Sequence, residues 1–147
     1  MSLEPQITRG LSVVVIEHNG SILVSLGYDK IKNQNFYRLL GGGIDFQETS
    51  LSAMKREIKE ELDLELENYQ LLSVSENIFT YNNEPGHEIC FIYKADFKDK
   101  ENYKREDFVI LDSDVDGKVV WLKLNLENIK LIMPPGAEKY LIKMIQD

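Results

Sequence analysis

Apolar and polar residues alternate in blocks that predict strands at the start of the chain. Residues 11–29, LSVVVIEHNGSILVSLGYD, form two apolar runs around Asn19-Gly20. That dipeptide is typical of a two-residue β-hairpin turn. Residues 35–40, NFYRLL, predict a further short strand that leads into three consecutive glycines.

The apolar period changes after the glycines. From about Ser50 to Leu64, apolar residues recur at steps of three and four, which predicts a helix with one buried face. Thr49 or Ser50 is placed to cap its N-terminus.

Strands return in the second half of the chain. YQLLSVSENIFTY predicts a strand with a bulge near Glu76-Asn77, NNEPG a turn, and HEICFIYKADF and VVWLKL two more strands. GAEKYLIKMIQD predicts a C-terminal helix after Pro134-Pro135. This order indicates an α+β or α/β fold, with a mixed sheet between helices in an α/β/α sandwich.

Size and composition indicate a single domain over residues 1–147, with residues 1–6 as a flexible lead-in. The lone cysteine, Cys90, lies in an apolar run and is predicted to be a core residue, which suits a reducing, cytoplasmic setting. The sequence shows no signal-peptide pattern and no apolar run as long as a membrane span. We therefore expect no membrane association.

The net charge of the chain indicates which classes of ligand its surface favours. The formal net charge is −8, from 25 acidic and 17 basic residues, so the surface repels nucleic acid. A nucleic-acid partner is not expected. Phosphate chemistry that depends on a bridging metal ion remains open.

Acidic residues cluster on the predicted helix. Glu57, Glu60 and Glu61 project together and border the apolar stripe. Clustered carboxylates suit Mg²⁺ or Mn²⁺, which prefer hard oxygen ligands. Runs such as KREIKEE are also common on exposed helices, so the helix alone favours a solvated face over a metal site.

The spacing of these glutamates relative to the glycines shifts the interpretation from a solvated helix face towards a metal site. Gly42 is followed after five residues by Glu48, and after seven more by Arg56-Glu57, with Glu60-Glu61 and Leu64 behind them. This pattern, residues 42–64, resembles the signature of the Nudix family of MutT-like pyrophosphohydrolases. The chain departs from it at Asp63, where the signature has glycine, and near Leu40 and Phe46-Gln47, where proline or glycine is frequent.

The resemblance implies hydrolysis of a nucleoside diphosphate linked to another group, with Mg²⁺ or Mn²⁺ as cofactor. Glu57, Glu60, Glu61 and the carbonyl of Gly41 would be the metal ligands. Arg56 and Glu48 would position them, and Glu57 or Glu60 would take the proton of the attacking water. The expected catalytic residues are therefore Glu48, Arg56, Glu57 and Glu60.

Substrate contacts are expected at five further positions: Gly42, Gly43, Phe46, Tyr81 and Glu88. The glycines would let the backbone approach a phosphate, and Phe46 would contact the substrate from the loop. Tyr81 lies where dinucleoside-polyphosphate hydrolases of the family often have tyrosine, although packing on the sheet is the favoured alternative. Glu88 is either an additional ligand or base, or a solvent-facing residue.

Three other positions have structural interpretations. His87 is expected to make a structural hydrogen bond, and Trp121 to be core or pocket wall. DSDVDG, residues 112–117, begins like a calcium loop, but its twelfth position is Lys123 rather than glutamate. We interpret it as an acidic turn.

The predicted function is therefore that of a Nudix pyrophosphohydrolase acting on a small nucleotide, with a nucleoside polyphosphate slightly favoured. Dinucleoside polyphosphates, ADP-ribose and nucleotide sugars stay open. A non-catalytic nucleotide sensor and a prenyl diphosphate isomerase, which shares the fold, are the alternatives. Family members are often dimers, so a homodimer is also an expectation.

Overall fold

The computed structural model describes residues 6–111 and 117–146. The strands found there are β1 Arg9–Val15, β2 Glu17–His18, β3 Ser21–Asp29, β4 Gln34–Gly43, β5 Leu66–Tyr81, β6 Glu84–Phe97, β7 Asp107–Val109, β8 Lys118–Lys123 and β9 Ile132–Met133. The α-helices are α1 Ser50–Leu62, α2 Leu126–Ile129 and α3 Glu138–Gln146. A 3-10 helix spans Lys100–Lys104.

The strands form one mixed sheet in the order β5-β6-β1-β4-β3-β8-β7, with β2 paired to β3 and β9 paired to β4. The pairs β1–β6 and β4–β9 are parallel, and the other pairs are antiparallel. The mixed sheet that the sequence predicts is therefore confirmed.

Helices cover both faces of the sheet, which explains the three consecutive valines at the end of β1. Successive strand residues point to opposite faces, so a strand that is covered on both sides needs apolar residues throughout. Val14 packs with Met54 and Ile58 of α1 on one face. Val13 packs with Leu141 of α3 on the other. This layering confirms the α/β/α sandwich.

β4 joins the two halves of the sheet. Its first part, Gln34–Leu39, pairs with β3, and its last part, Leu40–Gly43, pairs with β1. The strand therefore delivers its three glycines to the centre of the sheet, immediately before the loop that leads to α1. This arrangement brings the predicted signature residues together.

The tips of two hairpins meet at one end of the sheet. The Tyr81 hydroxyl, at the end of β5, donates a hydrogen bond of 3.2 Å to the carbonyl oxygen of Tyr28 in β3. The rings of Tyr81 and Phe36 pack edge to face, with centroids 5.6 Å apart. A cleft is left between the two halves of the sheet.

Several details differ from the sequence prediction. The register shifts of β5 lie between Glu67 and Gln70 and between Leu71 and Ser73, so the bulge predicted near Glu76-Asn77 was misplaced. The turn after β5 has only two residues, Asn82 and Asn83, both with positive φ. The pair tolerates this conformation well, so the strands continue through the rest of NNEPG.

Two predictions fall on undescribed residues. The acidic turn at DSDVDG and the flexible lead-in lie largely outside the described part of the chain. Within the described ranges, no helix has both the length and the apolar character required to cross a bilayer.

Candidate active site

The N-terminus of α1 is fixed to the sheet by hydroxyl groups. The Thr49 side chain accepts a hydrogen bond of 3.1 Å from the amide of Ser52, which confirms Thr49 as the N-cap. The buried Ser12 hydroxyl donates to the carbonyl oxygen of Ser50 at 2.8 Å. The Ser50 and Tyr93 hydroxyls are 2.6 Å apart. These contacts set the position of the helix relative to the glycines of β4.

Arg56 is the centre of a network of carboxylates on the first turns of α1. Its Nε and Nη2 donate to the two oxygens of Glu48 at 2.8 and 2.9 Å. Its Nη1 donates to Glu57 at 2.9 Å and to Glu60 at 3.2 Å. Its Nη2 also reaches the carbonyl oxygen of Gly43 at 3.0 Å. One guanidinium therefore joins the loop, the helix and the end of β4.

The Glu48–Arg56 pair holds both groups in their charged forms. The bidentate hydrogen bond from Arg56, helped by the amide of Asp45 at 3.0 Å, lowers the pKa of Glu48 to about 2. Glu48 in turn raises the pKa of Arg56. Glu48 therefore acts as a hydrogen-bond acceptor at neutral pH.

The glycines leave room that a side chain would fill. A Cβ at Gly42 would lie 2.4 Å from Cδ of Glu57, so the Glu57 carboxylate rests directly on the strand backbone. Gly41 has φ of +143°, and a Cβ there would lie 2.0 Å from the carbonyl oxygen of Ser12. Gly41 therefore requires glycine, and a side chain at position 42 would displace the Glu57 carboxylate.

The three predicted metal ligands on α1 are not yet arranged around a common point. In the described ranges, no three carboxylate, imidazole or thiol groups are placed to hold one ion together. Glu57 and Glu60 both accept hydrogen bonds from Arg56, and the Glu60 side chain is 49% exposed. The main-chain oxygen of Glu61 accepts from the amide of Leu111 at 2.7 Å.

The donor set nevertheless fits a hard divalent cation. It offers carboxylate oxygens close to a glycine backbone, which are the ligands that Mg²⁺ and Mn²⁺ prefer. The Glu57 carboxylate occupies the space left by the missing side chain of Gly42. The Glu60 side chain is 49% exposed, so it has room to change rotamer when its hydrogen bond to Arg56 is given up.

A cavity of about 470 Å³ adjoins the glycine strand. Of the predicted substrate contacts, Tyr81 and Glu88 line it, as does the predicted ligand Gly41. Phe46 is not among the lining residues, and its side chain is 94% exposed. Gly43 lies beneath Arg9, since a Cβ there would be 2.9 Å from Arg9 Nη2.

Glu88 lies between two other polar residues at the glycine end of the cavity. It is in register with Arg9 of β1 and with Asn77 of β5, and all three line the cavity. Burial raises the pKa of Glu88, and the charge of Arg9 opposes that rise. Glu88 is thus a partly buried acid that faces the cleft.

Sequence reasoning missed the basic residues of the cavity. Arg9, Lys32 and Arg38 all line it, although none belongs to the signature. The sequence did contain one indication of these residues, since Arg9 and Arg38 stand at the start of or within strand sequences of a chain that is acidic overall. Without the pairing of the strands, however, the sequence does not place them on one cavity.

The remaining candidates are structural. Trp121 packs in a cluster with Phe97 and Tyr103, and its indole N–H donates to the carbonyl oxygen of Arg105 at 2.7 Å. His87 Nδ1 is 3.0 Å from the Thr8 hydroxyl oxygen. Cys90 is buried, which raises the pKa of its thiol to about 11. It is a core residue, as predicted.

Comparison with known proteins decides the family. The NUDIX domain model matches residues 7–138, which include the glycines, the Arg56 network and most of the cavity. The chain belongs to the NUDIX family. A curated relative, the RNA pyrophosphohydrolase of Pelagibacter ubique (strain HTCC1062), is 27% identical over 128 residues, with 82% of this chain and 78% of the relative covered.

Solved Nudix structures share the fold. The MutT NUDIX hydrolase from Burkholderia pseudomallei superimposes with a TM-score of 0.63 at 22% identity, covering 95% of this chain and 99% of that one. The MutT protein from Bacillus halodurans gives 0.60 at 18% identity, covering 95% and 83%. These structures show that the fold is shared, and the family match with the curated relative identifies the chain as an enzyme, a Nudix pyrophosphohydrolase.

Proposed function

We propose that this Nudix enzyme hydrolyses a pyrophosphate bond of a nucleotide in a reaction that depends on Mg²⁺ or Mn²⁺. The observation that carries the proposal is the contact of Arg56 with Glu48, Glu57 and Glu60 at the end of the glycine strand. Four charged side chains are ordered there beside the glycine strand, of which Gly41 lines the cavity. A solvated helix face would not need that order.

The proposed ion ligands are the carboxylates of Glu57, Glu60 and Glu61 and the carbonyl oxygen of Gly41. A divalent ion, when bound, supplies neutralisation of phosphate charge and lowers the pKa of a coordinated water. Glu57 would hold the ion from its position against Gly42, and Glu60 would do so after giving up its hydrogen bond to Arg56. Arg56 would keep its contacts with Glu48 and Glu57.

The other roles follow from the contacts of each residue. Glu48 holds Arg56 in place through two parallel hydrogen bonds, and Arg56 orients the carboxylate of Glu57. Glu57 is the first choice for accepting the proton of the attacking water, with Glu60 as the alternative. Arg56 binds only Oε1 of Glu57, so its other oxygen can receive the proton.

The proposed substrate is a nucleotide with its phosphates at Gly41–Gly43 and its nucleoside in the cleft. Tyr81 and Glu88 line that cleft, and the exposed Phe46 would contact the substrate only from the loop. Because one relative is named an RNA pyrophosphohydrolase, 5′-triphosphorylated RNA joins the nucleoside polyphosphates as a candidate. The net charge of −8 disfavours long RNA.

Three wider expectations remain proposals. We infer that residues 1–147 act as one domain with the signature at 42–64, that the enzyme works in the cytoplasm, and that it forms a homodimer. A single, buried cysteine is compatible with a reducing compartment.

The test is a panel of nucleotides with Mg²⁺ and with Mn²⁺, in which phosphate release is measured after coupling to a phosphatase. We expect turnover of at least one compound, and a loss of at least about a hundredfold in Glu60→Gln. Glu127→Gln, an exposed change on α2, is the control. Equal rates for Glu60→Gln and the parent would refute the assigned role, and tight binding without turnover would indicate a nucleotide sensor.

A further inference from the structure

Two basic residues of the cleft, Lys32 and Arg38, form no ion pair within the part of the chain that the structure describes. The third, Arg9, lies opposite Glu88 in the neighbouring strand and acts on it through its charge. The chain has 25 acidic and 17 basic residues, so acidic partners are plentiful. Unpaired cations collected on one cavity of an acidic protein indicate an anionic ligand.

These cations lie at two separate ends of the cavity. Arg9 is at the near end, with Gly41 and Glu88. Lys32 and Arg38 are at the far end, with Tyr81. Along β5, Asn77 at the near end and Tyr81 at the far end are four residues apart, which corresponds to about 13 Å. One diphosphate group cannot reach both ends.

The far end is built to bind an anion rather than to stack on a base. The Arg38 guanidinium lies over the rings of Phe36 and Tyr81, 4.9 and 5.6 Å from their centroids. It therefore covers one face of each ring and is held in a restricted orientation. Its N–H groups are the donors that best match a phosphate.

Asp29 is the acidic residue that lines this end of the cavity, and backbone amides occupy its carboxylate. Asp29 is buried, and its Oδ1 accepts hydrogen bonds from the amides of Ile31 and Lys32 at 3.0 and 3.1 Å. Asp29 thus shapes the turn that carries Lys32. The Lys32 ammonium group and Arg38 remain available to a ligand.

We propose that the far end, formed by Lys32, Arg38 and Tyr81, binds a second phosphate on the ribose of the substrate. The preferred substrate is then a nucleoside 5′-polyphosphate that carries a further phosphate at its 3′ position. This inference rests on the proposed function, because the 5′-phosphates must lie at Gly41–Gly43. The added phosphate is either a terminal monoester or the diester link to a next nucleotide.

The experiment compares three substrates that differ only at the 3′ position: ATP, adenosine 3′-phosphate 5′-triphosphate, and the dinucleotide pppApG. We expect kcat/KM to be at least about tenfold higher for a 3′-phosphorylated compound than for ATP. A preference for the monoester indicates a small nucleotide. A preference for pppApG indicates an RNA end.

Two variants of the far end test which residues cause the preference. Arg38→Met and Lys32→Met should each reduce the ratio of kcat/KM values at least about fivefold, mainly by lowering the value for the 3′-phosphorylated substrate. Arg38→Lys, which keeps the charge, should recover part of the preference. One matched control is Lys30→Met, two residues before Lys32 and not among the residues that line the cavity. The other is Arg105→Met, whose guanidinium lies outside the cavity, 4.0 Å from the centroid of the Phe108 ring.

Equal kcat/KM for ATP and both 3′-phosphorylated compounds, or an unchanged ratio in Arg38→Met and Lys32→Met, would overturn the inference while leaving the proposed function intact. If none of the compounds is hydrolysed, the proposed function fails, and calorimetry decides the inference. Tighter binding of a 3′-phosphorylated compound that is lost in Arg38→Met would support it. Equal affinities for the three compounds would overturn it.

Discussion

At the scale of single residues, Arg56 explains how acidic side chains can crowd on α1. Each of its three nitrogens donates to a carboxylate, and one also reaches the backbone of Gly43. Like charges at three- and four-residue spacing repel one another, and a planar cation between them removes that cost. The residue therefore keeps the site ordered before any substrate arrives.

The space above Gly42 gives the first residue-scale prediction. Gly42→Ala would place a methyl group 2.4 Å from Glu57 Cδ and force the carboxylate to move. We expect kcat/KM to fall at least about tenfold, because a displaced catalytic group loses alignment with the substrate. Steady-state kinetics measures the effect.

The control for this prediction is Gly10→Ala, where the new methyl group would meet only the flexible end of Ile44 at 3.3 Å. That variant should keep most of the activity. Similar kcat/KM values for Gly42→Ala and the parent enzyme would show that catalysis does not depend on the position of the Glu57 carboxylate against Gly42.

The low pKa of Glu48 gives a prediction for stability against pH. Its pKa is about 2 in the folded protein, against an ordinary value of 4.5, so ionised Glu48 favours folding. That contribution is complete above about pH 4.5 and is lost as the pH falls towards 2. Glu48→Gln should therefore be less stable than the parent at pH 6, and the difference should shrink by pH 2.5.

Urea unfolding midpoints at both pH values measure this difference. Glu84→Gln, at an exposed hairpin turn, serves as the control and should differ little from the parent at either pH. A gap between Glu48→Gln and the parent that stays constant with pH would contradict the assigned role of the Glu48–Arg56 pair.

Arg56, Glu57 and Glu60 could be placed relative to one another from the sequence, because they share one helix. Glu48 lies in the loop before that helix, and only the resemblance to the signature suggested its contact with Arg56. The contact between Arg9 and Gly43 could not be predicted in the same way, since it depends on the pairing of β1 with β4. Local spacing carries no information about which strand becomes a neighbour.

At the scale of elements, a capping residue at each end defines where α1 begins and ends. Thr49 caps its start, and Asp63 ends it in the left-handed conformation, with φ of 52° and ψ of 42°. The signature glycine is thus replaced by a residue that tolerates that conformation. Lys59 pairs with Asp63 at 2.9 Å across the last turn. The departure from the signature is compatible with an intact helix end.

The cap gives a prediction at this scale. Thr49→Ala removes the acceptor for the amide of Ser52 and should lower the free energy of unfolding by about 1 kcal/mol. Thr49→Ser keeps the hydroxyl and should lose much less. Thermal and urea unfolding of the two variants measure the difference, and equal losses would show that the cap does not hold the helix.

Element boundaries were predictable where a local signal fixes them. The Asn19-Gly20 hairpin, the start of α1 and the end of β6 at Phe97 appear where the pattern placed them, whereas β6 begins three residues earlier than predicted, at Glu84. The short elements α2 and β9 were not predicted, because four and two residues are too few to show a period. The bulges of β5 depend on its register with β6, which the sequence of one strand does not contain.

At the scale of the whole molecule, the acidic residues and the basic residues of the site lie in different parts of the structure. α1 and the last part of β4 hold the acidic site, and the cleft between the hairpin tips holds the basic and aromatic residues. The tips touch through Tyr81 and Tyr28, which are 53 residues apart. Such a long-range contact is invisible in sequence periodicity, so the cleft had to be found in the structure.

The central claim is that Glu57, Glu60 and Glu61 share a divalent ion, and Mn²⁺ binding tests it most directly. Electron paramagnetic resonance titration counts free and bound Mn²⁺ without requiring a substrate. We expect at least one Mn²⁺ site in the parent, weakened at least about tenfold in Glu57→Gln and Glu60→Gln and unchanged in Glu127→Gln. Equal Mn²⁺ affinity in all four proteins, or no binding by the parent, would contradict it.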